Sequence, residues 1–304
     1  MPEVSVVIVC MNRPDILFPC LDSIREHNTV SMEVLVVAYS FSDDNMAALR
    51  DNYPWVIVVP SSGVKGFSEN NNLALSQAKG EFCFIVNDDT LQAEPVIDRL
   101  VRDLRSLPSS AAAVSPCIRF ADGRIQTCGR TPWTRWRYFK HYLHLVDEGG
   151  MGSQWDSGPS SLFQTYTLNG ACFLIKTEVF REAGWFDERF FFTPEDIALG
   201  HKLNDMGYTV WADPSVSVTH LAGGSVSAME QAIKPARVRG SMIFYGEPFF
   251  LKVFIWCFEA LRAFKYLFLP GTRRNTVMRK TAVNVMHTVF SKAAPKEIFI
   301  RFKP

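Results

Sequence analysis

The sequence predicts an α/β fold: a doubly wound, Rossmann-like mixed sheet over residues 1–233 with a helical extension over 234–304. Three observations predict it. Unbroken apolar runs recur at 4–10, 33–38, 55–59 and 82–86. Polar, helix-like stretches at 15–27, 43–52 and 67–79 separate them. The charge is also split. Of 32 Lys/Arg and 31 Asp/Glu, residues 234–304 hold 14 Lys/Arg against 3 Glu, a net of +11. Residues 1–233 then hold 18 against 28, a net of −10. A chain of formal charge +1 is thus two oppositely charged pieces.

Runs that are apolar at every position, rather than at every second one, suit strands buried on both faces of a parallel sheet. Alternation with helical segments gives βαβ units. Ligands of such sheets bind beyond the carboxyl ends of the strands. The polar residues that follow each run are therefore the candidates: Asn12 and Arg13, Ser42-Asp43-Asp44, and Asn87-Asp88-Asp89.

Beyond residue 110 the rhythm changes. The stretches 114–120 and 124–128 flank Asp122-Gly123, a hairpin signal. Residues 133–145 are aromatic and basic, and Trp133-Thr134-Arg135-Trp136-Arg137-Tyr138 reads either as the lining of an acceptor site or as a partly buried surface segment. Residues 147–161, rich in Gly and Ser, read as a loop. A strand is expected at 166–175, a short helix at 177–183, a helix with an acidic start at 194–206, and two strands at 208–212 and 215–219.

With 47% hydrophobic and 21% charged residues, the chain can build an ordinary core, which excludes disordered, collagen-like and disulfide-stapled classes. Seven cysteines without a C-x-x-C pair, several inside apolar runs, read as buried and reduced in a cytosolic protein. The N-terminus has no basic n-region, so no signal peptide is expected. No stretch of 18 uncharged apolar residues occurs, so no membrane span is expected.

Three motifs carry chemistry. Asn87-Asp88-Asp89-Thr90 closes a buried run, where carboxylates are costly unless compensated. A hard divalent cation such as Mg or Mn would compensate them. The alternative is an Asx turn, or capping by Asp89 or Thr90 of the helix near Pro95. Pro194-Glu195-Asp196 follows Gly184-Trp185-Phe186-Asp187-Glu188 and Phe190-Phe191-Phe192. Acidic residues there suit a helix N-terminus whatever else they do. His220 ends the run 216–219, where a lone histidine is ordinarily structural.

Taken in order, these motifs resemble the family 2 glycosyltransferases of the GT-A fold, especially their rhamnosyltransferase-like branch. The resemblance runs from Val4 to about Ser225. Val6-Val7-Ile8-Val9-Cys10-Met11-Asn12-Arg13-Pro14 is similar to the family's first strand and turn. Gly66-Phe67-Ser68, Asn71-Asn72 and Ala78-Lys79-Gly80 are similar to its second signature, and Asn87-Asp88-Asp89-Thr90 stands where its DxD-type motif falls. Ser115-Pro116, Asp122-Gly123, Ile125-Gln126 and Gly129-Arg130 form a further block. Asn169-Gly170-Ala171, 184–192 and Glu195-Asp196 resemble the acceptor and base region. His220 follows Asp196 by 24 positions, a spacing similar to that of the family's metal-binding histidine.

The resemblance implies an inverting sugar transfer from a nucleotide diphosphate sugar, such as a rhamnose or other deoxysugar donor. It implies a divalent metal, Mn or Mg, on Asp89 and His220, with Asp196 as the base. Asp88 is expected at the donor's ribose or sugar. Asn12, Arg13, Asp43, Asn72 and Asn87 complete the expected donor site. One run departs from the family. Its usual Asp-Asn-x-Ser-x-Asp reads here Ala38-Tyr39-Ser40-Phe41-Ser42-Asp43-Asp44, with Ala38 in place of the first Asp and either Asp43 or Asp44 as the last. Val64 also replaces a usual Asn. Both changes bear on which base the donor carries.

Within 249–269, Lys252, Glu259, Arg262 and Lys265 fall at relative angles of about 0°, 340°, 280° and 220° at 100° per residue. They share one face, and the rest of the helix is aromatic or aliphatic. Arg273, Arg274, Arg279 and Lys280 follow. One reading is an in-plane helix over 249–280 drawn to anionic headgroups. The other is packing on the catalytic domain or on a second copy of the chain. No nucleic-acid motif accompanies the basic charge.

The expected acceptor is a hydroxyl of a cell-surface glycan or a polyprenyl-diphosphate-linked sugar, at the inner face of the cytoplasmic membrane. The competing readings are a catalytically silent nucleotide- or glycan-binding partner subunit, and a nucleotidyltransferase. The latter would want a Gly-rich basic loop after the first strand, which Cys10–Pro14 does not supply.

Overall fold

The computed structural model describes residues 1–146, 161–221 and 229–304. The expected loop at 147–161 lies, but for Ser161, outside the described residues.

The first half forms as its pattern dictates: β1 Val4–Cys10, α1 Pro14–His27, β2 Met32–Tyr39, α2 Asp43–Asn52, β3 Val56–Ser61, α3 Phe67–Leu75 and β4 Phe82–Asn87. Strands β1, β2, β3 and β4 pair in parallel in the order β3-β2-β1-β4. Their unbroken apolar runs serve two cores. Val6, Ile8, Val34, Val36 and Phe84 pack with Leu17, Leu21 and Ile24 of α1. Val7, Leu35, Val37, Cys83 and Ile85 pack on the opposite face with Ala74 and Leu75 of α3. The two covered faces are the physical reason the runs do not alternate.

The second half adds β5 Thr90–Gln92, α4 Val96–Ser106, β6 Ala111–Phe120, β7 Ile125–Thr127, α5 Arg135–Tyr142, β8 Phe163–Thr165, β9 Cys172–Lys176, α6 Thr177–Glu182, α7 Glu195–Asp205 and β10 Thr209–His220. These extend one sheet to the order β3-β2-β1-β4-β9-β6-β10-β5, with β7 on β6 and β8 on β10. The sheet is mixed, because β9 runs antiparallel to both β4 and β6. The Asp122-Gly123 hairpin forms between β6 and β7.

Three expectations change. The strand expected at 166–175 begins only at Cys172, because the preceding amides are used otherwise: Gly170 N–H donates to Asp196 and Ala171 N–H to the Asn169 side chain. The two strands expected at 208–212 and 215–219 are one, β10. Its pairing with β6 jumps between Asp213 and Ser217, so that Pro214 falls in a bulge. The helix expected to reach Lys79 stops at Leu75.

Four helices complete the chain: α8 Glu230–Phe244, α9 Phe249–Lys265, α10 Arg273–Thr288 and α11 Pro295–Phe302. Helix α8 runs across position 234. Met242, Leu251, Ile255, Val285 and Val289 form a core with Trp133, Tyr138 and Tyr142 of the α5 region and Ile197 of α7. Helix α9 therefore does pack on the catalytic half, and it does so by its charged face. Glu259 is fully buried, while Phe250 is 82% and Phe268, just beyond the helix, 74% exposed.

The seven cysteines form no disulfide. Six are buried and Cys257, on α9, is exposed, which corrects the expectation that all are buried. Among the described residues no helix is long and apolar enough to cross a membrane.

Candidate active site

The chain winds outward from β1 through β2 to β3 and then returns to β4 beside β1. That reversal opens a crevice at the carboxyl ends of β1 and β4. Asn12 leaves β1 and Asp88 leaves β4 at this point. Burial pushes the Asp88 carboxyl up to about 6; a hydrogen bond with the Cys10 thiol pulls it back, and the neighbouring Asp89 charge adds to the rise.

Asp89 and His220 come together through strand pairing. β10 runs antiparallel to β5 with His220 opposite Thr90, and the Leu221 N–H donates to the Asp89 carbonyl at 2.9 Å. His220 Nε2 then lies 3.0 Å from Asp89 Oδ1. The Gln126 carboxamide oxygen sits 2.8 Å from His220 Nδ1, which favours a proton on Nδ1 and leaves the lone pair on Nε2. Asn87 Nδ2 approaches the same Nε2 at 3.4 Å. A lone pair and a carboxylate held 3.0 Å apart ask for a proton or a cation between them. The carboxylate oxygen suits Mn or Mg, while the imidazole nitrogen suits a transition metal better than Mg. No group of three or more His, Cys, Asp or Glu gathers for a metal among the described residues. The chain therefore offers this pair, and further ligands must be substrate or water oxygens. The capping alternative for Asp89 and Thr90 does not occur: α4 starts at Val96, with Pro95 before it and no side-chain cap.

Asp196 lies in the first turn of α7 and is buried. Its Oδ2 accepts from Arg130 at 2.9 Å and from the Gly170 N–H at 3.0 Å. Among the described residues its Oδ1 accepts only the Ile197 N–H, at 2.7 Å. A carboxylate oxygen takes about two hydrogen bonds, so Oδ1 keeps room for one more donor. Gly170 stays free of a side chain where its amide meets this carboxylate; a Cβ there would sit 3.6 Å from the Asp196 Cβ. Neighbouring Glu195 is also buried, and one of its oxygens, Oε2, has no hydrogen-bond partner among the described residues. Burial, then the Asp196 charge, pushes its carboxyl well above the usual range.

Asn87, Asp196 and His220 line one cleft of about 600 Å³. Trp133 and Tyr138 line it too, as the acceptor reading of that stretch expects. Other expected residues stand elsewhere. Asn12, at φ 52°, spends its side-chain oxygen on the Ser42 N–H and the Asn45 amide. It fixes the entry to α2 rather than offering that oxygen to a ligand. Arg13 is exposed and pairs with Asp15 at 2.7 Å. Asp43 is exposed at the start of α2, beyond the carboxyl end of β2. Asn72 is not brought to the cleft: its amide is spent on both the N–H and the carbonyl of Phe186 and on Glu188. Gln126 and Arg130, which hold His220 and Asp196, lie in the block Ile125-Gln126…Gly129-Arg130. Their roles carry no local sequence signal beyond that block.

Residues 2–237 match the family model described as "Glycosyltransferase like family 2". The O-antigen biosynthesis protein RfbC of Myxococcus xanthus is 26% identical over 72% of this chain, and the chain spans only 17% of that relative. The N-acetylglucosaminyl-diphospho-decaprenol L-rhamnosyltransferase of Mycobacterium tuberculosis is 24% identical, covering 71% of this chain and 75% of that protein. Among solved structures, the mannosyltransferase PcManGT of Pyrobaculum calidifontis, in complex with GDP-Man and Mn2+, aligns with a TM-score of 0.55 at 18% identity. That alignment covers 99% of this chain and 79% of the other, and it speaks to the fold alone.

Proposed function

The chain belongs to the family 2 glycosyltransferases, and from that premise we propose that it moves a deoxyhexose such as rhamnose from a nucleotide diphosphate sugar to a hydroxyl of a polyprenyl-linked glycan acceptor. The observation that carries this reading is that Asp196 and His220 line one cleft, with Asp89 3.0 Å from that histidine.

Asp89 and His220 would hold a divalent cation, whose positive charge offsets the charge that develops on a leaving diphosphate. Asp196 accepts the proton of the acceptor hydroxyl at Oδ1. The acceptor oxygen bonds to the anomeric carbon as the bond from that carbon to the phosphate oxygen breaks, and the nucleoside diphosphate departs. Attack in line from the Asp196 side inverts the anomeric centre. Arg130 and the Gly170 N–H hold the carboxylate in place. Asp88 is left to the ribose or sugar of the donor, and Asp43 to the nucleoside. Ala38, buried at the end of β2, offers no carboxylate for reading the base.

The exposed aromatic face of α9 supports peripheral contact with an anionic lipid surface at the cytoplasmic membrane. Phe249, Phe250, Leu261, Phe264 and Phe268 project outward. Lys265, Arg273, Arg274, Arg279 and Lys280 are exposed beside them, and no ion pair among the described residues occupies them. Glu259 and Arg262 turned inward, with Phe250, Leu261 and Phe264 outward, reverse the usual order of a surface helix, which burial in headgroups and acyl chains would explain.

The test is a donor panel of nucleotide sugars with Mn or Mg, read by binding and by transfer to a polyprenyl-diphosphate-linked sugar. Binding and turnover of one donor are expected; absence of turnover with every donor that binds would overturn the proposal. For the membrane contact, the full chain should float with anionic vesicles, and Phe250→Glu with Phe268→Glu should stay in solution. Flotation that is unchanged by the double substitution, or a stable dimer that the same substitution dissociates, assigns the face to another role.

A further inference from the structure

The cleft is acidic where Asp196 lies, but another part of its wall is basic. Lys234, Arg237 and Arg262 line it together with Glu230. Lys234 and Arg237 are three residues apart on α8, so they share a helix face. Lys234 Nζ lies 2.7 Å from Glu259 Oε1, and Arg262 reaches the same oxygen at 3.4 Å. One carboxylate thus serves two cations. Burial pulls the Lys234 ammonium down, and Glu259 opposes that. Arg237 is exposed, with no hydrogen bond or ion pair among the described residues, and it acts on Glu195 beside the base. In this part of the wall Glu259 pairs with Lys234 and Arg262, and Arg237 has no ion-pair partner among the described residues, Glu195 beside it being a carboxyl pushed well above the usual range by burial.

All three cations line the same cleft as Asp196. Arg237 is next to the base pair Glu195-Asp196. Lys234 is one turn away on the same face. Arg262 belongs to α9, whose opposite face presents the exposed aromatics. A sugar joined through a diphosphate to an apolar chain would bring its sugar to Asp196 and its diphosphate to the cations of the same cleft.

We propose that Lys234, Arg237 and Arg262 form a subsite for the diphosphate of a lipid-linked sugar acceptor. The inference rests on the sugar-transfer reading of the same cleft and adds where the acceptor's charge is held. The donor carries a diphosphate as well, so the test separates the two sources. The probe is farnesyl diphosphate, added to the full chain in the presence of Mn and a saturating nucleoside diphosphate, with farnesyl monophosphate and farnesol as comparisons.

Saturable binding of farnesyl diphosphate, about tenfold or more tighter than farnesol, is expected. Arg237→Ala should weaken it about tenfold, the scale of one charge-assisted contact, and Arg237→Glu should weaken it further. Nucleoside diphosphate binding should not change in either variant. Arg237 is exposed, so both variants keep the fold. Equal binding of farnesol and farnesyl diphosphate would overturn the subsite, as would unchanged binding in Arg237→Glu. Competition between farnesyl diphosphate and nucleotide, with nucleotide binding lost in Arg237→Ala, would give these cations to the donor and overturn it too. Failure of every nucleoside diphosphate to bind would count against the sugar-transfer reading, while the farnesyl diphosphate result would still decide the subsite.

Discussion

His220 Nε2 faces Asp89 Oδ1 at 3.0 Å because β10 lies antiparallel to the short strand β5, with His220 opposite Thr90. Two residues 131 positions apart are thereby held face to face, and Gln126 fixes the imidazole from behind at 2.8 Å. Gln126→Ala should weaken Mn binding roughly 10- to 100-fold, as loss of a ligand's outer partner commonly does. His220→Ala and Asp89→Ala should weaken it further. Mn binding measured with a nucleoside diphosphate present, and Mn titration of transfer, check this. Chelation of the metal should stop transfer, and added Mn should restore it. A Gln126→Ala protein that binds Mn like the wild type would refute the role given to this contact.

Asp196 keeps one acceptor position on Oδ1, while Oδ2 is saturated by Arg130 and Gly170. Asp196→Asn preserves shape but removes the proton acceptor. The rate of transfer should fall by about 10²- to 10⁴-fold, the usual contribution of a positioned base. Donor binding should be unchanged, since no donor contact is assigned to this side chain. Steady-state kinetics paired with direct donor binding separates the two. Full turnover in Asp196→Asn would move the base elsewhere.

The parts legible in the sequence are those set by short-range pattern. Strands β1 to β4 announce themselves because both of their faces are covered, and Asn87-Asp88-Asp89 is found at the end of such a run. Asn72 and Asn12 show why such positions are ambiguous: an amide in a motif is equally suited to binding a ligand and to bracing a loop. Nothing local shows that Phe186 and Ser42 claim them. The continuity of β10 was hidden by Pro214, which a bulge accommodates. Periodicity showed that Lys252, Glu259, Arg262 and Lys265 share a face of α9. It could not show that the face points inward, because that depends on Lys234 and Tyr142, far away in the chain.

Glu259 anchors α9 to the catalytic half. Its Oε1 accepts from the Tyr142 hydroxyl at 2.5 Å and from Lys234 at 2.7 Å, and its Oε2 has no partner among the described residues. Glu259→Ala would strand a buried ammonium and a buried hydroxyl. A loss of about 3–5 kcal/mol is expected, the range for breaking a buried pair from one side. Replacing both partners, Glu259→Met with Lys234→Met, should recover part of it, because the ammonium is then gone and only Arg262, at the longer 3.4 Å, loses its carboxylate. Urea unfolding of the two variants measures this. A Glu259→Ala protein as stable as wild type would show that the pair does not anchor the helix.

Asp103 and Asp213 form a second buried acidic pair, on α4 and at the β10 bulge, with Arg99 3.2 Å and 3.0 Å from them. Burial, the hydrogen bond with Asp213 and the Asp213 charge push Asp103 up to about 7. Burial also acts on Asp213, but the Ser215 hydroxyl and N–H, with Asp103 and Arg99, hold it below the usual range. The sign for Asp103 follows from linkage. Its unfolded value is near 4, so between about pH 4 and pH 7 the folded chain binds a proton that the unfolded chain has released. That contribution is complete below pH 4 and is lost as pH rises through 7, with a slope of at most about 1.4 kcal/mol per pH unit. Asp213 acts oppositely and only at lower pH, where its own carboxylate is protonated. Asp103→Asn keeps a hydrogen-bond donor toward Asp213 without a titrating proton. Urea midpoints at pH 5, 6 and 7 should therefore fall more steeply in the wild type than in Asp103→Asn. Parallel slopes in the two proteins would mean that Asp103 is ionised throughout this range.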